Sequence, residues 1–178
     1  MEFSKSKNIT IRAFEPNDAA EFRVACLESI DTVGKWMPWC HASYEHEEAL
    51  SWFAQCSKEI ESGDSFDLGI FRNADSLLVG SIAINQLDKR NRIGNIGYWV
   101  RESLQRQGYA LEAIELIKEF GFQEINLVRL EIVVHAENSA SRGVAERAGT
   151  CFECLAKNRL IHNGVPETAA VYSFTNDS

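Results

Sequence analysis

The sequence predicts one domain of mixed α/β structure, of the α+β kind, and three observations support that prediction. The chain has 178 residues, of which 45% are hydrophobic and 25% charged, enough for a substantial core. Three strand-like runs with short polar links follow one another near the middle, as in an antiparallel meander. Segments with helical spacing of apolar residues lie on either side of them. Because no repeat or linker divides the chain, we expect residues 1–178 to form one domain, with its core at about 9–175.

The first third of the chain predicts a strand and two helices. Residues 9–14 (ITIRAF) alternate apolar and polar side chains, as a strand does. The turn residues PND (16–18) open a helix that we expect to end at about Ile30. An aromatic loop (GKWMPWCHAS) then leads to an amphipathic helix at about 46–61.

The remaining two thirds predict further strands and two more helices. A helix is expected to begin near Gly108, because apolar residues from Ala110 to Gly121 form one stripe. A shorter helix is expected from Asn138, a favourable N-cap residue, to Gly149, which can end a helix. The predicted strands are 66–71, 77–86, 93–100, 128–136, 152–160 and 168–175. With the first strand they would make a sheet of about seven strands, flanked by about four helices.

Composition and charge argue against several classes of protein. A net charge of −8 argues against general nucleic-acid binding, which needs a basic face. The N-terminus lacks the features of a signal peptide, and the longest apolar run (LLVGSIAI) is too short to span a bilayer. Five cysteines without framework spacing indicate free thiols in a reducing cytosol. We therefore expect a cytoplasmic protein with no nucleic-acid or membrane partner.

The sequence CFEC places Cys151 and Cys154 at the spacing of redox and metal-binding pairs. Redox pairs sit at a helix N-terminus, whereas this pair follows a helix and enters a predicted strand. On a strand, residues i and i+3 point to opposite faces. A zinc site needs two further ligands, and His41 and His46 are five residues apart, off the spacing of one helical face. The pair is therefore interpreted as buried structural cysteines, and no metal is expected.

The stretch ESLQRQGYALEAI places polar residues and a glycine where a helix begins after a strand. Gly108 lets the backbone turn tightly and lets a ligand approach. The backbone amides from Gln105 to Ala110 would lack partners and would converge at the positive end of the helix dipole. This is typical of a pyrophosphate site, and Arg106, with Arg101 as a further candidate, could add charge. The alternative is a solvated helix start with a turn glycine. A dinucleotide fold and a P-loop are not supported, because their glycine motifs are absent.

The same stretch resembles the signature of the GCN5-related N-acetyltransferases, the GNAT family. Residues 105–110 (QRQGYA) match the pattern (Q/R)-x-x-G-x-(G/A). The segments IGYWV, ENSASRGVAERAG, HNG, VYSF and WMPW are similar to the RimJ/RimL-type branch, which acetylates the N-termini of ribosomal proteins. The resemblance covers about residues 9–175, and the order of these segments makes it specific.

The resemblance implies the GNAT fold, a mixed and mostly antiparallel sheet whose central strands 93–100 and 128–135 are parallel and splay apart. It implies acetyl-CoA as the co-substrate, held in that cleft. The pantetheine arm would pair with the backbone of the first of these strands, and the pyrophosphate would lie on the amides of the signature. The implied cofactor-binding residues are Tyr98, Trp99, Val100, Gln105, Arg106, Gln107, Gly108, Tyr109, Ala110 and Asn138.

Two positions that carry acid–base chemistry in many relatives differ in this chain. Ala145 stands where those relatives have a proton-donating Tyr, and Ser141 is the candidate donor in the RimL-like pattern. The alternative for Ser141 is that its hydroxyl binds a free amide in the first helical turn. Asn95 stands where relatives have a Glu base. Near pH 7 roughly 10–20% of an N-terminal α-amine is neutral, against about one part in a thousand for a Lys side chain. An enzyme without a strong base could therefore still serve N-terminal amines.

The aromatic loop is predicted to form the acceptor side of the site. Trp36, Met37 and Trp39 would line it, by resemblance and by the aromatic composition of the loop; alternatively, they simply cover the core. His135 ends a predicted strand near the cleft, and we interpret it as structural.

The missing base leaves three carboxylates to consider, Glu45, Glu47 and Asp67, which could act through water. For Glu45 and Glu47 the favoured alternative is that they stabilise the start of a helix. The expected reaction is direct acetyl transfer in a ternary complex, and the favoured acceptor is the N-terminal α-amine of a protein or peptide. The alternatives are a small-molecule amine as acceptor, a protein that binds acetyl-CoA without transfer, and a nucleotide-binding protein. The resemblance also implies a homodimer.

Overall fold

One sheet of eight strands forms the centre of the protein. The structure is a computed structural model and describes residues 2–176. Along the sheet the strands follow the order β1-β2-β3-β4-β5-β6-β8-β7. Their bounds are β1 Glu2–Lys5, β2 Ile9–Arg12, β3 Phe66–Arg72, β4 Leu78–Asp88, β5 Ile93–Val100, β6 Arg129–His135, β7 Cys151–His162 and β8 Val165–Thr175.

Helices cover the two faces of the sheet. They are α1 Ala19–Leu27, α2 His46–Ser62, α3 Tyr109–Gln123 and α4 Ser139–Arg147. Short 3-10 turns lie at Pro16–Asp18 and Glu102–Leu104, and a π-type turn lies at Ile30–Gly34. Within residues 2–176, no helix is both long and apolar enough to cross a membrane.

Strand β1 is the element that the sequence did not predict, and it raises the strand number from about seven to eight. Its four residues pair antiparallel with β2, but they carry too little alternation to stand out in the sequence. Phe3 anchors it, with its ring centroid 5.3 Å from that of Phe120 and 6.3 Å from that of Phe66. The packing of Phe3 against α3 and β3 therefore stabilises this short strand.

The first predicted helix is shorter than expected, because it ends at Leu27 and not at about Ile30. The buried hydroxyl of Ser29 donates a hydrogen bond of 2.6 Å to the carbonyl of Ala25. The Ser29 carbonyl in turn accepts bonds from the amides of Val33 and Gly34, which close the π-type turn. A serine that bonds back to the preceding turn bends the chain away from the helix axis.

The sheet is antiparallel except between β5 and β6, as the resemblance implied. The parallel pairing is limited to three residues of each strand, Ile93–Asn95 of β5 and Arg129–Glu131 of β6. From Ile96 to Val100, β5 remains paired with β4 on its other side. The two central strands therefore separate after Asn95, and an open cleft lies between them.

Each sheet face has its own core. One core contains the buried stripe of α3, Ala113, Ile114 and Ile117, packed on inward side chains such as Ile82 and Leu130. The other contains aromatic residues of α1 and α2 with Trp99 of β5. Because side chains alternate along a strand, Tyr98 and Trp99 contribute to opposite cores. The cleft is thus bordered by a separate packed layer on each face.

The prediction that Cys151 and Cys154 are buried is wrong, because both are exposed on β7 at the edge of the sheet. The expected opposite orientation is also wrong. A β-bulge shifts the register between Phe152 and Cys154, so that Cys151 is opposite Ser173 and Cys154 is opposite Val171. Two residues opposite alternate positions of one strand share a face. The three other cysteines, Cys26, Cys40 and Cys56, are buried.

Candidate active site at the splayed strands

The cleft leaves one edge of β5 without a partner strand from Ile96 onward. An open strand edge offers alternating N–H and C=O groups to an extended ligand, in the manner of an added strand. Of the predicted cofactor residues, Tyr98, Trp99 and Val100 lie on this edge. Trp99 is buried beneath α1, so its backbone and not its side chain is available there.

The loop after β5 leads directly to the start of α3. Arg106 has φ +62° and Gly108 has φ +89°, two left-handed residues that reverse the loop within three positions. A Cβ at Gly108 would meet no described atom within 4 Å, so the space beside it is open. The geometry matches the turn and the close ligand approach for which a glycine was predicted.

The amides of this loop are placed to bind an anion. The Gln105 amide donates to the Glu102 carbonyl at 3.2 Å, and the Glu112 amide donates to the Gly108 carbonyl at 3.1 Å. In the described part of the chain, the amides between them, residues 106–111, make no backbone hydrogen bond outside the helix. Free amides at a helix N-terminus, together with the helix dipole, favour a phosphate group. The amides of Gln107, Gly108, Tyr109 and Ala110 are therefore free, as the sequence predicted, whereas the prediction of a free amide at Gln105 is wrong because that amide is bonded to the Glu102 carbonyl.

Side chains hold the loop against β5 and against the π-type turn that follows α1. The Gln105 amide side chain donates to the Val100 carbonyl at 3.0 Å and to the Thr32 hydroxyl at 3.2 Å. The Gln107 side chain donates to the Ser103 carbonyl at 3.2 Å. Arg106 is exposed at the turn and can provide a positive charge. The loop is thus fixed before any ligand arrives.

Arg101 does not face the anion site. It is buried, and its guanidinium donates to Glu28 at 2.6 and 2.8 Å and also pairs with Glu21. Ser103 donates to the same Glu28 carboxylate at 2.7 Å. The Arg101 guanidinium lowers the pKa of Glu28 to about 2. Arg101 therefore connects the loop to α1 and has no charge left for a ligand.

The start of α4 lies on the other side of the cleft. The Asn138 side chain caps the helix, accepting a hydrogen bond of 3.1 Å from the Ser141 amide. The Ser141 hydroxyl lies 2.9 Å from the Tyr98 hydroxyl, and Tyr98 can also donate to the Ser141 carbonyl at 3.1 Å. The partner of the Ser141 hydroxyl is thus a tyrosine and not a free amide. Burial raises the pKa of Tyr98 to about 12, so this hydroxyl stays protonated at neutral pH. Ala145 is fully buried in the core.

A cavity of about 420 Å³ opens beside β5 on the face covered by α1 and α2. The small residues Ala83 and Gly97, directly opposite each other on β4 and β5, leave space above the sheet at its floor. Met37 and Trp39 line the wall, as predicted for the acceptor side. Trp36 does not line it; its ring lies 5.0 Å from that of His135, at the end of β6.

The carboxylates near the acceptor side have different environments. Glu45 is the N-cap residue of α2, and its backbone amide donates a hydrogen bond of 2.7 Å to the Glu48 side chain. Glu47 is exposed on the first turn of α2, in agreement with the alternative that Glu45 and Glu47 stabilise the start of a helix. Asp67 is only 9% exposed, lines the cavity and accepts a hydrogen bond from Ser65. Burial raises the pKa of Asp67 above its usual range.

Asn95 cannot serve as a base in this structure. Its side-chain amide donates to the Asn85 oxygen at 2.9 Å, and its own Oδ1 is buried without a hydrogen-bond partner among the described residues. Also within that part of the chain, no group of three His, Cys, Asp or Glu residues is placed to hold a metal ion.

Sequence reasoning missed most residues of the cavity, among them Tyr44, Glu48, Trp52 and the side chain of Trp99. Glu48 and Trp52 lie one helical turn apart on α2, which was a signal for a shared face. Tyr44 and Trp99 gave no such signal, because they approach the cavity from a loop and from a strand.

Comparison with known proteins shows the family to which the chain belongs. The family model for the "Acetyltransferase (GNAT) domain" matches residues 8–150. The chain is 29% identical to "Putative ribosomal N-acetyltransferase YdaF" of Bacillus subtilis (strain 168) over 175 residues, 94% of this chain and 91% of the relative.

Two solved structures show how closely the fold agrees. A protein of Vibrio cholerae described as a "putative ribosomal-protein-serine acetyltransferase" has a TM-score of 0.87 and 29% identity, over 99% of this chain and 98% of its own. RimL, a "Ribosomal L7/L12 alpha-N-protein acetyltransferase in complex with Coenzyme A", has a TM-score of 0.89 over 99% of both chains. At 20% identity, the second comparison supports the fold alone. The chain therefore belongs to the GNAT family of acetyltransferases, in its RimJ/RimL-type branch.

Proposed function

We propose that this enzyme transfers the acetyl group of acetyl-CoA directly to a primary amine in a ternary complex, with the N-terminal α-amine of a protein or peptide as the favoured acceptor. The observation that carries the proposal is the open edge of β5, which runs directly into the free amides of residues 106–111. The relatives named for ribosomal-protein acetylation favour the same class of acceptor.

The residues of the cleft fit acetyl-CoA. The free loop amides and the open space beside Gly108 suit a pyrophosphate, and the exposed Arg106 adds a positive charge. The open edge of β5 near Tyr98 and Val100 suits an extended pantetheine arm with its amide groups. Asn138 and Ser141 border the opposite side at the start of α4.

Acetyl-CoA supplies an acetyl thioester, and the chain supplies polarisation and a proton. A backbone N–H near Val100 can stabilise negative charge on a carbonyl oxygen, as in an oxyanion hole. The Tyr98 and Ser141 hydroxyls, 2.9 Å apart, can pass a proton to a departing thiolate. Because burial keeps Tyr98 protonated, the pair holds that proton across the neutral pH range.

The presence of Asn at position 95, where relatives have a Glu base, supports an N-terminal α-amine as the acceptor. An α-amine is neutral in a useful fraction near pH 7, whereas a Lys side chain would need a base to remove its proton. A small-molecule amine is the alternative acceptor, and Met37 and Trp39 line a cavity of sufficient volume for either.

A thiol-release assay tests the proposal. Acetyl-CoA is supplied with a lysine-free peptide that has a free N-terminus, with an N-acetylated peptide that contains Lys, and with small amines. We expect thiol release and one added acetyl group with the first peptide. Turnover with small amines alone would assign the alternative acceptor. Binding of acetyl-CoA without thiol release in any arm would identify a binding protein, for which Asn95 and Ala145 are the best support.

The resemblance that implies this activity also implies a homodimer, and the cysteine pattern of the sequence favours a cytoplasmic location. All five cysteines are free in the structure, which accords with a reducing compartment. The oligomeric state is tested by sedimentation, in which a dimer is expected.

A further inference from the structure

Asp67 is a buried carboxylate that the proposed transfer does not use. It lies on β3 in the floor of the cavity, 9% exposed, and its Oδ2 accepts a hydrogen bond from Ser65. Burial raises its pKa, the hydrogen bond from Ser65 opposes that rise, and the nearby Glu59 adds to it, while no cation among residues 2–176 contributes. A buried carboxylate is costly unless it is paired. A cationic group that entered the cavity would therefore stabilise the ionised form of Asp67.

The walls of the cavity favour such a partner. Trp39 lies with its ring centroid 5.4 Å from that of Trp99 and 6.1 Å from that of Phe22, and Tyr44 and Trp52 complete an aromatic lining. The faces of aromatic rings attract cations, most strongly for Trp. No Lys or Arg among the described residues lines the cavity, whereas the half-exposed side chain of Glu48 lies at its rim. Charge and ring chemistry together select an alkylammonium group.

A distance decides whether Asp67 acts as the base or as a recognition residue. Asp67, Ala83 and Gly97 are directly opposite one another across β3, β4 and β5. Adjacent strands are separated by about 4.8 Å, so the backbone of Asp67 lies roughly 10 Å from β5, and the cleft lies beyond β5. A short Asp side chain cannot contact an amine that attacks in the cleft. Asp67 is therefore too distant to remove the proton of the reacting amine directly.

We propose that this cavity is a subsite for a second cationic group of the acceptor, an alkylammonium that Asp67 and the aromatic walls bind while another amine of the same molecule is acetylated. The proposal rests on the proposed function for the position of the reacting amine. The acceptor would carry two amines roughly 10 Å apart. A peptide with Lys at its second position and a long diamine share this chemistry.

Direct binding tests the subsite without any acetyl transfer. Hexylamine and its neutral analogue hexanol are titrated into the free enzyme, and binding is followed by the fluorescence of Trp39, Trp52 and Trp99, which line the cavity. We expect hexylamine to bind more tightly than hexanol. The isosteric change Asp67→Asn should weaken hexylamine binding about 10- to 100-fold and leave hexanol unchanged. The matched control is Asp64→Asn, which removes an exposed carboxylate paired with Lys89 and should change neither.

Equal binding of hexylamine and hexanol by wild type, or equal hexylamine binding by wild type and Asp67→Asn, would overturn the subsite. A second variant, Trp39→Leu, should also weaken hexylamine more than hexanol, because it removes one ring of the lining. The amine titration does not depend on acetyl-CoA, so a failed transfer assay would not contradict the cationic subsite. Conversely, a failed amine titration would not contradict acetyl-CoA binding.

Turnover then identifies the source of the ammonium. Peptides beginning Ala-Lys and Ala-norleucine are compared as acceptors, and so are 1,8-diaminooctane and octylamine. A kcat/KM advantage of about tenfold or more for the Lys peptide, lost in Asp67→Asn, assigns a polypeptide; the same advantage for the diamine assigns a free polyamine. No advantage for either dication would overturn the role of the cavity in acceptor recognition.

Discussion

At the scale of single residues, the contact between Tyr98 and Ser141 is the feature on which the proposed proton transfer depends. One hydroxyl comes from β5 and the other from α4, and they meet on the cleft at 2.9 Å. Sequence comparison suggested Ser141 alone, and a serine is a weak acid. The structure adds the tyrosine, which the sequence could not reveal because the two residues are 43 positions apart.

We predict that Ser141→Ala and Tyr98→Phe each lower kcat about 10- to 100-fold, at the weak end of general acid catalysis because the donors are neutral hydroxyls. The affinity for acetyl-CoA should change little, because both changes leave the backbone of β5 and the loop intact. Stopped-flow thiol release and equilibrium titration measure the two quantities. Unchanged kcat in both variants would remove the pair from the mechanism.

The pH dependence of the wild-type enzyme follows from the same pair. The rate should rise with pH as the acceptor α-amine loses its proton, around its pKa of about 8. It should not fall again through loss of the Tyr98 proton until the pH approaches about 12, because burial raises the pKa of Tyr98 to that range. A decline of kcat centred near neutral pH would show that a different group supplies the proton.

Ala145 explains why the tyrosine of many relatives cannot simply be restored. The side chain is fully buried in the core beneath α4. We predict that Ala145→Tyr destabilises the fold by about 1–3 kcal/mol through overpacking and does not raise kcat. Urea unfolding and the thiol assay measure both effects. A stable variant with higher kcat would mean that the position faces the cleft.

At the scale of elements, an ionic connection links the loop between β5 and α3 to the C-terminal end of α1. Arg101 directly follows β5 and binds Glu28 and Glu21, and Ser103 binds Glu28 as well. Arg101 was a sequence candidate for the ligand, since a loop arginine beside a glycine turn is typical of phosphate sites. Only the position of α1 in space shows that its charge is already paired.

We predict that Glu28→Gln weakens this connection and lowers the free energy of unfolding at pH 7 by about 1–2 kcal/mol. This loss is smaller than for a fully buried ion pair, because Glu28 is partly exposed and Glu21 still pairs with Arg101. The pKa of Glu28 is about 2 in the folded protein, below its usual value of 4.5. Its contribution is therefore complete above pH 4.5 and is lost as the pH falls toward 2. Urea unfolding at pH 7 and at acidic pH measures the trend, with Glu119→Gln on the exposed face of α3 as control. A stability difference from wild type that grows as the pH falls would contradict it.

The elements that sequence reasoning misplaced have local causes. β1 is short and depends on Phe3 packing against Phe120, which is remote in sequence. α1 ends early because the Ser29 hydroxyl bonds back to Ala25. The exposure of Cys151 follows from the position of β7 at the sheet edge, and strand order is not encoded in local periodicity. The strands and helices with strong periodicity, such as the buried stripe of α3, were predicted correctly.

At the scale of the whole molecule, the site is assembled where two layers meet at a splayed strand pair. The anion-binding half is a continuous segment, from Val100 to Ala110, so its composition and order made it visible in the sequence. The cavity is assembled from α1, an aromatic loop, α2 and three strands. Asp67 and Trp99 line the cavity only when these segments fold together, which is why the sequence indicated the loop after β5 more fully than the lining of the cavity.

The most direct test of the central claim is isothermal titration of acetyl-CoA into wild type and Gly108→Trp. Gly63→Trp is the matched control, because Gly63 also has a positive φ, +66°, and also has no described atom within 4 Å of a Cβ, but it ends α2. We predict saturable binding by wild type and by Gly63→Trp, and loss of binding by Gly108→Trp, whose side chain would fill the approach to the loop amides. No binding by wild type at millimolar acetyl-CoA, or unchanged binding by Gly108→Trp, would contradict the account.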